Sequence, residues 1–374
     1  METVALIFAL LMLLYAAFVF RAAWYFARQA CPPPAQAVYP SVSVVIPARN
    51  EAAHLAHCLG TVLHQDYPGD RYEVILVNDH STDATLPIAW AMTDRHPRLR
   101  VLNLAEEGIN AYKKAALAAG IAAARGEIIV QTDADCEVGP DWLRTMVGHF
   151  GPRTGLVSGP VQLLYEDTWL GRFQALESMG LVALGAGSMA AGRPNMCNGA
   201  NLAYRRAAFE DAGGFGTDAV ASGDDELLLQ RIRRLGTYDL RFAKCREAVV
   251  TTRTQPDWAS LKAQRLRWVS KVRAYLDRRI NVVQLVSYLA FWGFPVLLVL
   301  GLYDSSYLLL LGELFLLKVA VDFVLMYQAA RFFHTFRLLN DFLPLQLAYI
   351  PYVLWIGLAG NLTRRYTWKG RSVS

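Results

Sequence analysis

The stretch SVSVVIPARNE, residues 41–51, decides the fold of this chain. Its run of Val and Ile with little polar alternation is typical of a strand buried on both faces of a parallel sheet. We expect that strand at 41–46, running into Pro47 and then into a polar loop that contains Asn50 and Glu51. In open α/β sheets such loops lie where ligands bind.

The same strand-and-loop pattern recurs downstream. Residues 73–77 predict a second strand that ends at Asp79, and residues 52–64 between the two strands predict a helix. Further strands are expected at 100–104 and 127–130. Alternating strands and helices favour an α/β fold with a parallel sheet. The loops after the first two strands are therefore where a nucleotide is expected.

Two carboxylates, Asp133 and Asp135, follow the fourth predicted strand. Their oxygens suit Mg²⁺ or Mn²⁺, which would bridge to diphosphate oxygens and neutralise a leaving group. An Asp-x-Asp pair at the end of a strand also suits ordinary turn chemistry. Its position at the edge of a nucleotide-type sheet favours the metal interpretation.

A second acidic cluster, SGDDE at 222–226, precedes a predicted helix at 227–235. Carboxylates at this position cap a helix and favour the positive end of its dipole. The alternative is catalytic: one carboxylate removes the proton of an acceptor hydroxyl. We favour Asp225 as that base, with Asp224 and Glu226 as supporting or capping groups.

Together these segments resemble the family 2 inverting glycosyltransferases of the GT-A fold. The matching segments follow the family's order, and they are VVIPARNE at 44–51, VNDHSTDAT at 77–85, KKAAL at 113–117, TDAD at 132–135, NGANLAYRR at 198–206, SGDDE at 222–226 and QRLRW at 264–268. The resemblance implies a Rossmann-like, mostly parallel α/β domain that binds a nucleotide sugar.

The resemblance also implies residue roles. The implied donor-binding residues are Pro47, Asn50, Glu51, Asp79, Lys113, Asp133, Gln264, Arg267 and Trp268. Asp133 and Asp135 would hold diphosphate and metal, and Asp225 would be the base. The residues of QRLRW would close over the diphosphate and line the acceptor site.

Two details of the matching segments leave alternatives open. Tyr112 stands where the family usually carries Gly, which leaves the division of roles between Lys113 and Lys114 open. Gly199 and Ala200 suit a floor under the donor sugar, and they suit an ordinary buried strand equally well.

Composition indicates a membrane protein. Of the 374 residues, 54% are hydrophobic and only 18% are charged, and the apolar residues concentrate at the two ends. Residues 3–20 carry no charge, which is long enough to span a bilayer, and Arg21 and Arg28 follow them. A cleaved signal peptide would carry positive charge before its apolar run. We therefore expect an uncleaved anchor. The positive-inside rule then predicts that the N-terminus lies outside and the catalytic domain in the cytoplasm, at the inner (plasma) membrane.

The C-terminal third is basic and then apolar. Residues 258–279 predict a basic amphipathic helix that lies on the bilayer surface, where anionic lipid headgroups are a better partner than nucleic acid. Apolar stretches at 280–303, 305–330 and 342–363 predict membrane spans, making the protein multi-pass. The last of them is alternatively re-entrant or interfacial.

The middle apolar stretch carries Glu313, Lys318 and Asp322. Lys318 and Asp322 are one helical turn apart and are expected to pair. A role in holding a lipid headgroup is the alternative.

The predicted organisation has six parts. They are an anchor at 1–29, a Pro-rich linker at 30–40, a GT-A domain at 41–255, an interfacial helix with QRLRW at 256–281, transmembrane helices at 282–363 and a basic tail at 364–374. The five cysteines have no paired spacing, and their odd count in a cytoplasmic domain favours free thiols.

We expect a hexosyltransferase-type enzyme that moves a sugar from a nucleoside diphosphate donor, a UDP-sugar first, to a membrane lipid. The main alternative is a processive polysaccharide synthase, but three or four helices are few for a translocation channel without an accessory subunit or oligomer. A sugar nucleotidyltransferase would carry a Gly-rich loop after its first strand, which IPARNE lacks. A catalytically inactive scaffold would have lost some of the acidic positions, and all are present.

Overall fold

The computed structural model of the protein describes residues 2–31, 39–104, 112–216, 223–362, 366–368 and 371–373. Most of the predicted linker, Ser222 and much of the basic tail lie outside these described residues.

The strands and helices follow the predicted alternation through the first half of the chain. The strands are β1 Val42–Ala48, β2 Tyr72–Asn78, β3 Leu99–Asn103, β4 Ile128–Gln131, β5 Glu137–Val138, β6 Thr154–Ser158, β7 Val161–Leu164, β8 Leu202–Arg205, β9 Asp239–Phe242, β10 Val250–Arg253, β11 Tyr366–Trp368 and β12 Arg371–Val373. The helices are α1 Glu2–Arg28, α2 Leu55–Leu63, α3 Thr85–Thr93, α4 Tyr112–Ala123, α5 Trp142–Gly148, α6 Trp169–Ala190, α7 Arg206–Asp211, α8 Asp224–Leu235, α9 Trp258–Ser270, α10 Arg278–Leu300, α11 Ser306–Phe333 and α12 Phe342–Leu362.

The chain forms two compact units. The sheet unit comprises the described residues of 29–164, 194–254 and 367–374, and the helical unit those of 1–28, 165–193 and 255–366. Segment 165–193, which contains α6, therefore belongs to the helical unit although it lies within the range 41–255 predicted as the GT-A domain.

The sheet unit is built on a seven-stranded sheet with the order β3-β2-β1-β4-β8-β6-β9. The four predicted strands, β1 to β4, pair in parallel, and Val44 lies opposite Val74 in the register of β1 and β2. β8 is antiparallel to both β4 and β6, so the sheet is mostly parallel. The central strands are buried because helices cover both faces of such sheets. The predicted α/β fold class is confirmed.

A disulfide between Cys31 and Cys245 corrects the expectation of five free thiols. The two cysteines are 214 residues apart in sequence, but their Cα atoms lie 5.1 Å apart in the sheet unit. Cys58, Cys136 and Cys197 are the cysteines outside this disulfide. No spacing rule could reveal this pair because the fold, not the local sequence, brings the two segments together.

In the helical unit, α1 packs against α6, α10 and α11. Where α1 meets α6, a Cβ on Gly187 would lie 2.0 Å from the carbonyl oxygen of Ala22, so only glycine permits this approach. Arg21 adds a hydrogen bond of 2.9 Å to the carbonyl of Ala191 at the end of α6. This small-residue contact fixes α6 on the N-terminal helix.

The basic segment predicted as one helix at 258–279 is divided. α9 ends at Ser270, a 3₁₀ turn occupies Lys271–Ala274, and α10 begins at Arg278. The side chain of Asp277 caps α10 by accepting a hydrogen bond from the Arg279 amide at 2.9 Å. Because α10 begins before the predicted 280, Arg278 and Arg279 form its first turn.

Among the described residues, three helical stretches have the length and apolar composition needed to cross a membrane: Glu2–Arg28, Arg278–Leu300 and Phe336–Gly360. The predicted stretch 305–330 forms the long helix α11, which lies outside this group because it carries four charged residues: Glu313, Lys318, Asp322 and Arg331.

Two of the charged residues of α11, Lys318 and Asp322, belong to a buried network. Lys318 is fully buried, and its ammonium donates to Asp322 Oδ2 at 2.8 Å and to the Gln346 side chain. Tyr15 donates to Asp322 Oδ1 at 2.7 Å. The predicted pairing of Lys318 with Asp322 is confirmed, and the network joins α1, α11 and α12.

Candidate active site

The loops that follow β1 and β2 brace each other at the carboxyl edge of the sheet. The Thr82 amide donates to Asn50 Oδ1 at 2.8 Å, and the Asn50 amide donates to Ser81 Oγ at 3.0 Å. The guanidinium of Arg49 donates to the carbonyl of Asp79 at 2.8 Å. Three predicted site residues, Pro47, Asn50 and Asp79, are therefore held together at one sheet edge.

Two residues in these loops adopt a left-handed backbone. Asn50 has φ of 51° and His80 has φ of 56°. Side-chain-bearing residues avoid this region unless the surroundings fix them there, and such positions cluster at functional sites. The buried carboxylate of Asp79 lies 2.9 Å from Nδ1 of His80. The bracing therefore fixes both the backbone and the carboxylate of the second loop.

The two acidic residues after β4 have different partners. Asp133 Oδ1 accepts a hydrogen bond from the Lys113 ammonium at 2.5 Å, whereas Asp135 Oδ2 accepts one from the Thr252 hydroxyl at 3.3 Å. Burial favours the neutral amine of Lys113, but the carboxylates of Asp133 and Asp224 raise its pKa above the usual value. Lys113 is therefore a cation placed on a predicted metal-ligand oxygen.

Gly199 connects these groups to the second acidic cluster. A Cβ on Gly199 would lie 2.9 Å from Gln131 Nε2 and 3.5 Å from both Lys113 Nζ and Asp224 Oδ2. Its amide donates to Asp225 Oδ2 at 2.9 Å. The absence of a side chain at Gly199 therefore lets four segments of the chain meet at one point.

Asp225 stands in the first turn of α8, which begins after Gly223 with φ of 88°. The amides of Gly199 and Glu226 donate to its two carboxylate oxygens at 2.9 and 2.8 Å. Two backbone donors and a helix N-terminus stabilise the ionised form of a carboxylate. The carboxylate of Asp225 is therefore held in place at the start of α8 by two backbone amides.

Asp224 is buried, 5% exposed, and its Oδ2 has no hydrogen-bond partner among the described residues. Burial is the main cause that raises the pKa of this carboxyl, and the nearby Lys113 ammonium opposes it. Burial and the ammonium thus act in opposite directions on this carboxyl, and burial has the larger effect.

The sequence did not predict the polar contacts that Gln131 and Thr132 make with the segment at Gly199 and Ala200. Gln131 Nε2 donates to the carbonyl of Gly199 at 3.1 Å, and the Thr132 hydroxyl donates to that of Ala200 at 2.8 Å. Their position directly before the acidic pair was the available signal. Asn201 is equally buried and accepts a hydrogen bond of 3.0 Å from Trp142 Nε1, so all three side chains support the sheet edge from inside the core.

The described residues contain no group of three or more His, Cys, Asp or Glu side chains that could hold a metal ion. A metal that serves a diphosphate, however, takes only one or two protein carboxylates and completes its shell with phosphate and water oxygens. Asp133 and Asp135 fit that requirement, and the ammonium on Asp133 confirms that this oxygen accepts a positive charge.

The residues Gln264, Arg267 and Trp268 lie on α9 of the helical unit. Their spacing of three and four residues places them on one face of the helix. All three are partly buried, and Arg265 beside them is 4% exposed. The side chain of Asp257 caps α9 by accepting from the Ser260 amide at 2.8 Å.

Acidic and polar side chains at the carboxyl edge of a mostly parallel sheet are the donor-binding side of GT-A glycosyltransferases, and this chain is of that class. The model of glycosyl transferase family 21 matches residues 4–374, so the chain belongs to this family. The predicted resemblance to GT-A glycosyltransferases is confirmed.

The chain is similar to several characterised proteins. Glycosyltransferase AglE of Haloferax volcanii is 31% identical over 188 residues, which cover 50% of this chain and 59% of that protein. Beta-monoglucosyldiacylglycerol synthase of Synechocystis sp. is 36% identical over 116 residues, which cover 31% of this chain and 24% of that protein. The chain thus spans about three-fifths and about a quarter of these relatives.

Among solved structures, the mannosyltransferase PcManGT from Pyrobaculum calidifontis, in complex with GDP-Man and Mn²⁺, has a TM-score of 0.60. The similarity covers 96% of this chain and 98% of that one at 20% identity. The two proteins share a fold.

Proposed function

We propose that this protein transfers a sugar from a nucleoside diphosphate sugar to a hydroxyl of a membrane lipid, with inversion at the reacting carbon. The observation that supports it most is the meeting at Gly199 of the Lys113–Asp133 pair with the amide-held carboxylate of Asp225. This arrangement brings groups suited to a departing diphosphate together with a fixed base at one sheet edge.

In the reaction, the acceptor oxygen forms a bond to the anomeric carbon while the bond from that carbon to the diphosphate oxygen breaks. Asp225 accepts the hydroxyl proton, because its carboxylate is the one held rigidly by the Gly199 and Glu226 amides. The electron pair of the broken bond stays on the diphosphate. Attack opposite the leaving group inverts the configuration.

The braced loops would bind the nucleotide. Pro47, Asn50, Glu51 and Asp79 lie in or directly after β1 and β2, and the mutual hydrogen bonds of the loops fix them before a ligand arrives. A site that is already ordered binds without the entropy cost of ordering its loops. Asp79 would accept hydrogen bonds from the ribose or the base.

Asp133 and Asp135 would hold a divalent metal together with the donor diphosphate. When bound, Mg²⁺ or Mn²⁺ supplies positive charge to the leaving group. Mn²⁺ is the first ion to test because the similarly folded PcManGT was solved with it. Lys113, whose ammonium lies beside Asp133, would add a further positive charge near the phosphates.

The lipid acceptor is proposed from two observations. Three helical stretches can cross a membrane, and a relative over part of the chain is named as a synthase of a glucosyldiacylglycerol. Gln264, Arg267 and Trp268 would then bind diphosphate and acceptor. We place the sheet unit on the cytoplasmic side of the inner membrane, because nucleotide sugars are made in the cytoplasm.

The experiment is a product analysis. Detergent-purified protein is incubated with Mn²⁺, labelled UDP- and GDP-sugars in turn, and total membrane lipid, and products are separated by mass. A lipid that gains one sugar from one donor is the expected result. A ladder of products would replace the proposal with processive synthesis, and no transfer from any donor to any lipid would refute it.

A further inference from the structure

Arg265, the residue between Gln264 and Arg267 in α9, is the most deeply buried arginine of the motif segment. Only 5% of the Arg265 side chain is exposed, whereas its neighbours Gln264, Arg267 and Trp268 are more exposed and only partly buried. A guanidinium is rarely buried without a fixed partner because desolvation of the charge is costly.

That partner is Glu177 on α6. Glu177 Oε2 accepts hydrogen bonds from Arg265 Nη2 at 2.5 Å and from Nε at 3.1 Å, and its side chain is 6% exposed. The hydroxyl of Tyr352 on α12 donates to the other carboxylate oxygen at 3.0 Å. Both oxygens are thus engaged, and α6, α9 and α12 meet at one buried ion pair within the helical unit.

The same guanidinium contacts two side chains of the motif. Arg265 Nη1 donates to Gln264 Oε1, and the guanidinium carbon lies 4.2 Å from the centroid of the Trp268 ring. Planar stacking on an aromatic face and a directed fork of donors are properties that lysine does not share. One rigid group therefore fixes the orientation of both an amide and an indole.

We propose that Arg265, anchored by Glu177 and Tyr352, is a positioning residue that orients Gln264 and Trp268 for catalysis. The inference rests on the proposed function, in which those two residues bind diphosphate and acceptor. Arg265 itself acts through them and touches no substrate. Glu177 has the same positioning role because its carboxylate holds the Arg265 guanidinium in place.

The test begins with a probe of Trp268 that does not depend on turnover. The protein is labelled with 5-fluorotryptophan, and the ¹⁹F resonance of Trp268 is assigned by its loss in Trp268→Phe. Arg265→Ala and Glu177→Gln are expected to shift it. Lys262→Ala is the matched control, since Lys262 lies on the same helix, 5.1 Å from the centroid of the Trp355 ring, and should move only the Trp355 resonance.

Kinetics supply the second readout. Arg265→Ala should lower kcat by about 10²-fold, the scale of a misplaced catalytic group. It should also lower the thermal midpoint, because it leaves Glu177 buried without its cation. Arg265→Lys, which keeps the charge, should remain folded and have an intermediate kcat. Arg265→Ala should lower kcat only slightly further in a protein that already carries Gln264→Ala and Trp268→Ala. In that double variant, the two side chains that Arg265 orients are absent. If Arg265→Ala acted only by destabilising the protein, it would lower kcat by the same factor in wild type and in the double variant.

Two results would overturn the proposal. One is a Trp268 resonance that does not shift in Arg265→Ala. The other is a decrease in kcat on Arg265→Ala that is as large in the double variant as in wild type. If wild-type protein transfers no sugar at all, the proposed function fails separately, and the ¹⁹F response alone then decides whether Arg265 orients Trp268.

Discussion

The amide of Gly199 donates a hydrogen bond of 2.9 Å to Oδ2 of Asp225. This bond joins two separate segments of the chain at the edge of the sheet. The missing side chain of Gly199 matters as much as its amide. The space it leaves is bordered by Gln131, Lys113 and Asp224.

Gly199→Ala should therefore lower transfer activity. The new Cβ would lie 2.9 Å from Gln131 Nε2, so either that side chain or the Gly199 backbone, whose amide holds Asp225, must shift. We expect a loss on the order of 10–10²-fold in kcat, because small displacements of catalytic groups are costly. Gly60→Ala is the control, since nothing lies within 4 Å of a Cβ there. Equal activity of the two variants would contradict this account of the site.

The buried network of α11 predicts a reversal between single and double variants. Lys318→Met removes the ammonium and leaves the Asp322 carboxylate buried without its cation, which should cost about 3–5 kcal/mol of unfolding free energy. Lys318→Met with Asp322→Leu should recover most of that loss. Thermal unfolding in detergent measures it, with Glu313→Gln, an exposed position on the same helix, as control. A double variant less stable than the single one would contradict the pairing.

Glu73 predicts a pH-dependent stability. Burial alone would raise the pKa of this carboxyl, but hydrogen bonds from the Ser43 hydroxyl at 2.7 Å, the Arg125 amide at 2.7 Å and Arg100 at 2.9 Å lower it. A lowered pKa in the folded state contributes stability above the unfolded value of about 4.3, and that stability is lost as pH falls through the folded pKa.

Glu73→Gln should accordingly destabilise the protein at pH 6 by about 1–3 kcal/mol, the cost of charge-assisted hydrogen bonds. The difference between variant and wild type should shrink below about pH 4. Thermal midpoints at the two pH values measure this, with the exposed Glu210→Gln as control. A difference that grows as pH falls would have the wrong sign for this hydrogen-bonded carboxylate.

The Cys31–Cys245 disulfide predicts a count of reactive thiols. Denatured, air-purified protein should take three maleimide tags without reductant and five after reduction, and Cys31→Ser should take four in both cases. Five tags on unreduced protein would mean that the bond does not form.

The same tagging in intact cells locates the sheet unit. Disulfides persist in oxidising compartments and are rare in the cytosol. A cytoplasmic sheet unit is therefore expected to take five tags in cells quenched with a permeant maleimide. Three tags there would place it on the oxidising side and contradict the proposed location.

Much of the fold could be predicted because its signals are local. The buried strands β1 to β4 carry runs of Val and Ile, and the polar loops after them mark the sheet edge. The helix α1, which is long and apolar enough to cross a membrane, is a continuous run of mostly apolar residues. Periodicity and composition within a short window are enough for these elements.

Other parts depend on distant segments. α6 contains four glycines, which weaken a helix signal, and it forms because a residue as small as Gly187 lets it approach α1. The Arg265–Glu177 pair joins residues 88 positions apart, and nothing beside either residue indicates the other. The acidic site could be predicted by its motifs, but the role of Gly199 as their common contact required the fold.

The central claim is that Asp225 is the base at a nucleotide-sugar site, and one comparison tests it most directly. Nucleotide affinity, by equilibrium dialysis with Mn²⁺, and sugar transfer to lipid are measured for wild type and Asp225→Asn. We predict unchanged affinity and a loss of transfer of about 10²–10⁴-fold, the usual contribution of a general base. Transfer by Asp225→Asn equal to that of wild type would contradict the account.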